Sequence, residues 1–257
     1  MIKLPLLECK TIEGYLQGGS TYPVLVKVAD GRRFVVKTFT PKQEEEGFAT
    51  HKEAITNALA PQFDLTVPEP ALVFISTSHI EQIKSSLNER GIKGRDRLTE
   101  RFYFGSQYIE GSVGVNGDHN GLNFYEMQHV LAFDVLVENV DRVGTHKPNL
   151  LVKDGDLHLI DHELCFGTCG NKNINLRVFL EGARGKHILL DTIRARKKEV
   201  EFSEFEENLR RLNIQTLIEL EWNLQSQNIV TNTEIISYLE QHKENPYTFI
   251  QELLALL

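Results

Sequence analysis

Asp141, Asn149 and Asp161 are the side chains whose types and spacing point first to chemistry. They flank a hairpin signal. NLLVK and DLHLI are two short apolar-rich strands joined through Asp154-Gly155, a pair that suits a two-residue turn. Such a turn pairs Lys153 with Asp156 and so Asn149 with Ile160; a three-residue loop pairs Asn149 with Asp161. In either register Asn149 and Asp161 meet at the open end of the hairpin. Asp141 lies in the segment feeding that end. Oxygen donors with few charges suit Mg²⁺, which keeps several waters and takes further ligands from substrate phosphates. The competing reading is ordinary turn chemistry, for which Asp and Asn are common choices.

A second candidate is Lys37. Val24, Val26 and Val28 alternate with Leu25, Lys27 and Ala29, then Asp30-Gly31 gives a turn, then RRFVVKTF a second strand. Lys37 shares a strand face with Val35 and Phe39. Taken alone it reads as an edge lysine reaching water. Residues 43–60 carry helical spacing through Phe48, His51, Ile55 and Leu59, and Glu53 lies on this helix. Strands are expected at ALVFIS and RFYFGSQYI, with a helix over 78–90 between them. The stretch holding Gly111, Gly114, Gly117 and Gly121 matches no phosphate-loop pattern and reads as a connector. The helix over 124–139 is apolar almost all round and should be deeply buried. Asp134 inside it needs a partner and reads as structural. Beyond about residue 172 the chain reads as packed helices, with Leu217, Leu220, Trp222 and Leu224 on one amphipathic stretch. Phe249, Ile250, Leu253, Leu254 and Leu257 form another.

The chain has 257 residues, 25% charged and 41% hydrophobic, enough for one large domain or two packed lobes. Net charge is −8, a poor match to a nucleic-acid binder. No apolar run approaches the roughly 18–20 residues of a membrane span, and the first residues do not read as a signal peptide. Three cysteines, Cys9, Cys165 and Cys169, make no paired framework, so a cytoplasmic setting is expected. His162, Cys165 and Cys169 lie close in sequence, with His158 near. They lack a CxxC pair and read as buried or idle side chains rather than a zinc site.

The order of glycine turn, strand lysine, helix glutamate, hinge strand, then Asp, Asn and Asp resembles the protein-kinase-like fold. More narrowly it resembles the HipA-like kinases, especially their short single-domain branch. The segments that carry this are GGSTYPVLVKVADGRRFVVKTF, TVPEPALVFI, FDVLVENVDR, PNLLV and LHLIDHELCFG. The resemblance implies an α+β bilobal fold. Residues 1–110 would form an antiparallel-sheet ATP-binding lobe with one key helix, and 111–257 a mainly helical catalytic lobe. It implies a Ser/Thr protein kinase using ATP and Mg²⁺, with a hydroxyl-bearing protein or small molecule as acceptor. Lys37 is similar to the lysine that contacts the α- and β-phosphates, and Glu53 to the glutamate that pairs with it. Gly18, Gly19 and Ser20 resemble the turn over the phosphates, and Gln107, Tyr108, Ile109 and Glu110 the hinge that reads adenine. Asp141 looks like the catalytic Asp, and Asn149 and Asp161 like the metal ligands. Relatives also modify themselves near the glycine turn, which makes Ser20 a candidate for autophosphorylation.

The sequence departs from the kinase pattern in four places. The spacing from Asp141 to Asn149 is D-x7-N rather than D-x4-N, so a segment near GTHKP must loop out, and Asn139 is the alternative ligand. Asp161-His162-Glu163 replaces the DFG triplet. GGS replaces a full GxGxxG. There is no room for the additional N-terminal subdomain of HipA toxins, and no antitoxin partner is inferred. A small-molecule or lipid-headgroup kinase and a nucleotide-binding pseudokinase are the competing functions.

Overall fold

Alternating valines start the fold. In strand β2 (Val24–Val28) Val24, Val26 and Val28 point inward, and β3 (Arg33–Val36) pairs with it antiparallel, Val24 opposite Val36. Gly31 turns between them at φ +89°, a conformation glycine adopts without cost. Three more strands complete the unit: β1 (Leu6–Tyr15), β4 (Pro70–Ile75) and β5 (Arg101–Gln107). They close into a barrel in the order β1-β2-β3-β5-β4. This corrects the expected antiparallel sheet. The closing ladder, β1 on β4, is parallel, with Leu6 opposite Leu72, and closure leaves no free edge. A Cβ on Gly105 of β5 would lie 3.0 Å from Val73 and 3.3 Å from Val36, so a side chain there would crowd the barrel interior. The computed structural model describes residues 3–16, 21–92, 97–115, 119, 121–143, 149–169, 175–182 and 184–257.

The helix expected over 43–60 is two helices, α1 (Pro41–Glu45) and α2 (Ala49–Leu59). The break is built in. A Cβ on Gly47 would strike the Gln43 carbonyl oxygen at 2.6 Å, and Phe48 turns left-handed at φ 53°. Glu44 then caps α2, accepting from Thr50 N–H at 3.1 Å and Thr50 Oγ1 at 2.8 Å. Helix α3 (Thr77–Glu89) follows β4 and sends Ile80, Ile83 and Leu87 into the barrel's apolar cluster.

The glycine stretch does more than connect, because it supplies a short strand, β6 (Val113–Gly114). Helix α4 (Phe124–Leu136) is capped by Asn123, which accepts from Tyr125 N–H at 3.0 Å, and every residue of it from Met127 on is buried. The hairpin is β7 (Leu150–Lys153) and β8 (Asp156–Leu159), Lys153 opposite Asp156. Asp154 and Gly155 both have positive φ, the signature of the two-residue turn. β6, β7 and β8 form a sheet in that order. The C-terminal part holds α5 (Arg177–Glu181), a short strand β9 (Gly185–Lys186), α6 (Leu190–Ala195), α7 (Ser203–Arg210), α8 (Ile214–Ser226), α9 (Glu234–Glu244) and α10 (Pro246–Leu256). Leu217, Leu220 and Leu224 are buried as expected, whereas Trp222 is 62% exposed. Among the described residues no helix is long and apolar enough to cross a membrane.

The barrel interior and α3 form one apolar cluster. A second joins α2, α4, the hairpin and the C-terminal helices, and it includes Leu72 and Phe104 from the barrel strands. Helix α2 therefore packs away from the barrel centre, against α8. Its His51 Nε2 lies 2.9 Å from Glu221 Oε1 of α8, both residues buried. His51 Nδ1 accepts from Asn232 N–H at 3.2 Å.

Candidate active site

Lys37 directly follows β3, and its backbone N–H is held by the Phe104 carbonyl at 3.1 Å. It is not an edge lysine in water, being only 8% exposed. Its ammonium donates to Glu53 of α2, to Asp161 Oδ1 at 2.5 Å and to Glu163 Oε2 at 2.9 Å. Glu53 is fully buried and also accepts from His162 N–H at 2.9 Å. Barrel, helix and hairpin thus meet on one nitrogen.

The charges divide unequally. Burial works against the Lys37 charge, but Asp161, Glu53 and Glu163 outweigh it and hold the ammonium well above its ordinary pKa. Burial also opposes ionisation of Glu53 and Asp161. Lys37 overcomes it in both, with His162 assisting at Glu53, so both carboxyls stay below their ordinary values. Glu163 goes the other way. Burial, together with Asp161 and Glu53, outweighs Lys37 and pushes it up to about 8. The three carboxyls around one ammonium are thus pushed in opposite directions, because like charges this close disfavour full ionisation.

The second part of the site hangs from Asp134, one of the buried residues of α4. Its Oδ1 accepts from Asn139 Nδ2 at 2.9 Å. Its Oδ2 accepts from Arg142 Nε at 2.5 Å and lies 2.9 Å from His187 Nε2. Leu189 N–H donates to His187 Nδ1 at 3.2 Å, which leaves Nε2 as the donor to Asp134. Burial opposes the Asp134 charge, but Arg142 and His187 hold its carboxyl well below the usual range. Each partner fixes a piece of backbone. Asn139 Oδ1 accepts from Asp141 N–H at 3.0 Å, and Arg142 donates to the Asn149 carbonyl. Asp141 and Asn149 are thereby brought together, with Asn149 Nδ2 donating to Asp141 Oδ2 at 3.0 Å. Arg184 donates to the other oxygen, Oδ1, at 2.7 Å.

At the hairpin mouth Ile160 N–H bonds the Asn149 carbonyl at 3.2 Å, the register of the two-residue turn. Asn149 and Asp161 both have positive φ, 52° and 69°, which Asn and Asp tolerate better than other side chains. Asn139, the alternative ligand, is buried with both amide atoms engaged inside the fold. Asn149 has its nitrogen on Asp141, which turns its amide oxygen elsewhere. Glu53, Asp161 and Glu163 offer ligand atoms within 4.8 Å of one another, and the buried Glu53 Oε2 accepts no hydrogen bond. Lys37 contacts all three, and the hard carboxylate oxygens of Asp161 at the hairpin mouth are of the kind that suits a small divalent cation. His162 faces Glu53 and Arg142 instead, and Cys165 is fully buried; among the described residues the group of candidate ligands is Glu53, Asp161 and Glu163.

The residues expected to form the hinge are strapped down. Gln107 N–H bonds the Glu69 carbonyl at 2.9 Å, Tyr108 N–H bonds Arg33 O at 2.8 Å, and Arg33 pairs with Glu110 at 2.8 Å. The Ile109 carbonyl accepts from Ser112 Oγ at 2.9 Å. Gly18, Gly19 and Ser20, and with them the self-modification reading, lie outside the described residues, as does the GTHKP segment.

The sequence matches the HipA-like kinases over residues 9–247. The chain belongs to the HipA-like kinase family. No curated protein matches this HipA-like kinase. Its fold is similar to the Helicobacter pylori proinflammatory kinase CtkA, with a TM-score of 0.53 at 11% identity over 97% of this chain and 99% of that one. It is also similar to the Golgi casein kinase solved with Mn/ADP bound, with a TM-score of 0.53 at 11% identity over 100% and 74% of the two chains. At such identities the likeness is one of fold, and the fold is kinase-like. Glu163, Arg184 and His187 were not singled out from this family member's sequence. A carboxylate two residues beyond Asp161 was the available signal for Glu163. Nothing local marks Arg184 or His187, which arrive from a distant segment.

Proposed function

We propose that this HipA-like kinase is an ATP- and Mg²⁺-dependent phosphotransferase acting on a serine or threonine hydroxyl of a protein. The observation that carries this is the junction of Lys37, Glu53 and Asp161 on one ammonium. The Asp141–Asn149 pair lies at the mouth of the same hairpin that bears Asp161. A kinase of similar fold binding Mn and ADP supports nucleotide and metal use. In this reading residues 1–110 form the nucleotide lobe and 111–257 the catalytic lobe.

Lys37, ordered by Glu53, contacts the α- and β-phosphates. Asp161 and the Asn149 amide oxygen hold Mg²⁺, with Glu163 adjacent. When bound there, the ion supplies neutralisation of phosphate charge. Gly18, Gly19 and Ser20 cover the phosphates, and the hinge from Gln107 to Glu110 takes the adenine, with Ile109 and Glu110 offering the remaining N–H groups. Asp141, fixed by Asn139 and Asn149, orients the acceptor hydroxyl and takes its proton. The group beside Asp141 is a guanidinium rather than further carboxylates, which disfavours a cationic small-molecule acceptor.

Calorimetric titration of ATP with and without Mg²⁺, on wild type and Asp161→Ala, tests the nucleotide site. Mg-dependent binding present in wild type and lost in the variant is expected. Absence of ATP binding in wild type would sink the reading. Asp141→Ala should keep ATP affinity and lower transfer by about 10²–10⁴-fold. Near-normal turnover would remove Asp141 from the base role.

A further inference from the structure

Arg184 lies on a purpose-built turn. The turn joins α5 to β9, closed by bridges of Glu181 to Lys186 and Gly182 to Gly185. Gly185 has φ +132°, and a Cβ on Gly182 would strike the Val178 carbonyl oxygen at 2.2 Å. Both glycines are therefore required by the turn. The segment after it is anchored to the segment that follows Asp141. Val143 bridges to His187, and Ile188 N–H bonds the Arg142 carbonyl at 3.0 Å. The His187 ring is tied to buried Asp134. The result is a guanidinium presented to Asp141 Oδ1 at 2.7 Å, with the Arg184 side chain 51% and the Asp141 side chain 30% exposed. An ion pair that open to water contributes little to stability, so stability does not account for the Arg184–Asp141 contact.

The charge arrangement gives this contact a role. Lys37 already faces Glu53, Asp161 and Glu163. Arg142 is fully buried on Asp134 and the Asn149 carbonyl. Among the described residues Arg184 is the cation in contact with Asp141 on its open side. A hydroxyl hydrogen-bonded to Asp141 lies about 2.7 Å from a carboxylate oxygen, and the phosphorus it attacks about 3 Å further on. A guanidinium on the same carboxylate is one side-chain movement from that phosphoryl group.

We propose that Arg184 is a further catalytic residue: it leaves Asp141 when the acceptor hydroxyl arrives and binds the oxygens of the phosphoryl group in transfer. This rests on the phosphotransferase reading. In the step, the hydroxyl oxygen bonds to the γ-phosphorus, and the bond from that phosphorus to the ADP oxygen breaks. The electron pair leaves on ADP, and the hydroxyl proton passes to Asp141. Arg184 binds the equatorial oxygens, where charge accumulates, in the manner of an arginine finger supplied in cis. The same guanidinium keeps Asp141 engaged while no acceptor is present.

The test compares wild type, Arg184→Ala and Arg184→Lys for binding of Mg·ADP with and without aluminium fluoride, a planar mimic of the transferring phosphoryl, alongside turnover. Wild type should bind Mg·ADP more tightly when fluoride is added. Arg184→Ala should keep its affinity for Mg·ADP alone, lose that tightening, and turn over about 10²-fold more slowly. Arg184→Lys should recover part of both. Circular dichroism melts of the variants should match wild type, since the side chain is half-exposed. Full tightening in Arg184→Ala overturns the proposal. So does faster turnover in Arg184→Ala, which would make Arg184 a restraint on Asp141. If wild type binds Mg·ADP but Arg184 proves silent, the proposal alone falls. If wild type binds no nucleotide, the phosphotransferase reading falls and takes the proposal with it.

Discussion

Burial first, and then Asp161 beside it, push the Glu163 carboxyl toward its protonated form. Folding raises its pKa from 4.5 to about 8. Between those values the folded chain holds a proton that the unfolded chain has released, so stability from Glu163 is present at low pH and falls as pH rises. Asp161 and Glu53 carry the opposite sign. Their folded pKa values are depressed, and their contribution is lost as pH drops through the carboxylate range. Glu163→Gln keeps the shape and removes one titration. It should melt close to the parent near about pH 5 and above it near about pH 8.5. A gap that stays constant across pH, read by scanning fluorimetry, would show Glu163 ionised together with Asp161. The residue was visible in the sequence as part of Asp161-His162-Glu163. Its protonation was not, because that depends on Lys37 and Glu53 arriving from two other elements.

Helix α4 acts through a single carboxylate. Asp134 faces Asn139, Arg142 and His187 at once, and these reach Asp141, the hairpin and the Arg184 turn. Asp134→Ala would leave Arg142 buried without its charge partner, a loss of about 3–5 kcal/mol for a broken buried pair. Urea unfolding measures it. A loss below about 1 kcal/mol would mean the site is held by other bonds. The need for a partner was legible from a carboxylate inside an apolar helix, and so was the hairpin, whose Asp154-Gly155 turn sets the register that brings Asn149 and Asp161 together. The partners of Asp134 were only half legible. Asn139 and Arg142 are close in sequence, but His187 lies far along the chain and no spacing rule connects it to α4. The split between α1 and α2 was hidden for a different reason. Apolar spacing continues across Gly47 and Phe48, and only the left-handed backbone at Phe48 shows the break. Barrel closure was missed because the parallel ladder joins β1 and β4 across intervening elements, which alternation within either strand does not encode.

Across the whole molecule the apolar interior ignores the division proposed at residue 110. Ile55 and Leu59 of α2, with Phe63, Leu72 and Phe104, share a cluster with α4, α7, α8 and α10. His51 adds a buried polar tie to Glu221. Calorimetric unfolding of the full chain should therefore give one transition, with calorimetric and van't Hoff enthalpies equal. Two resolved transitions would show that the barrel and the helices unfold independently. An exchange of gene segments between relatives at residue 110 would transplant part of one interior into another. A volume change on α2 would have to be answered on α8, so the two halves work as one matched interior rather than as interchangeable parts.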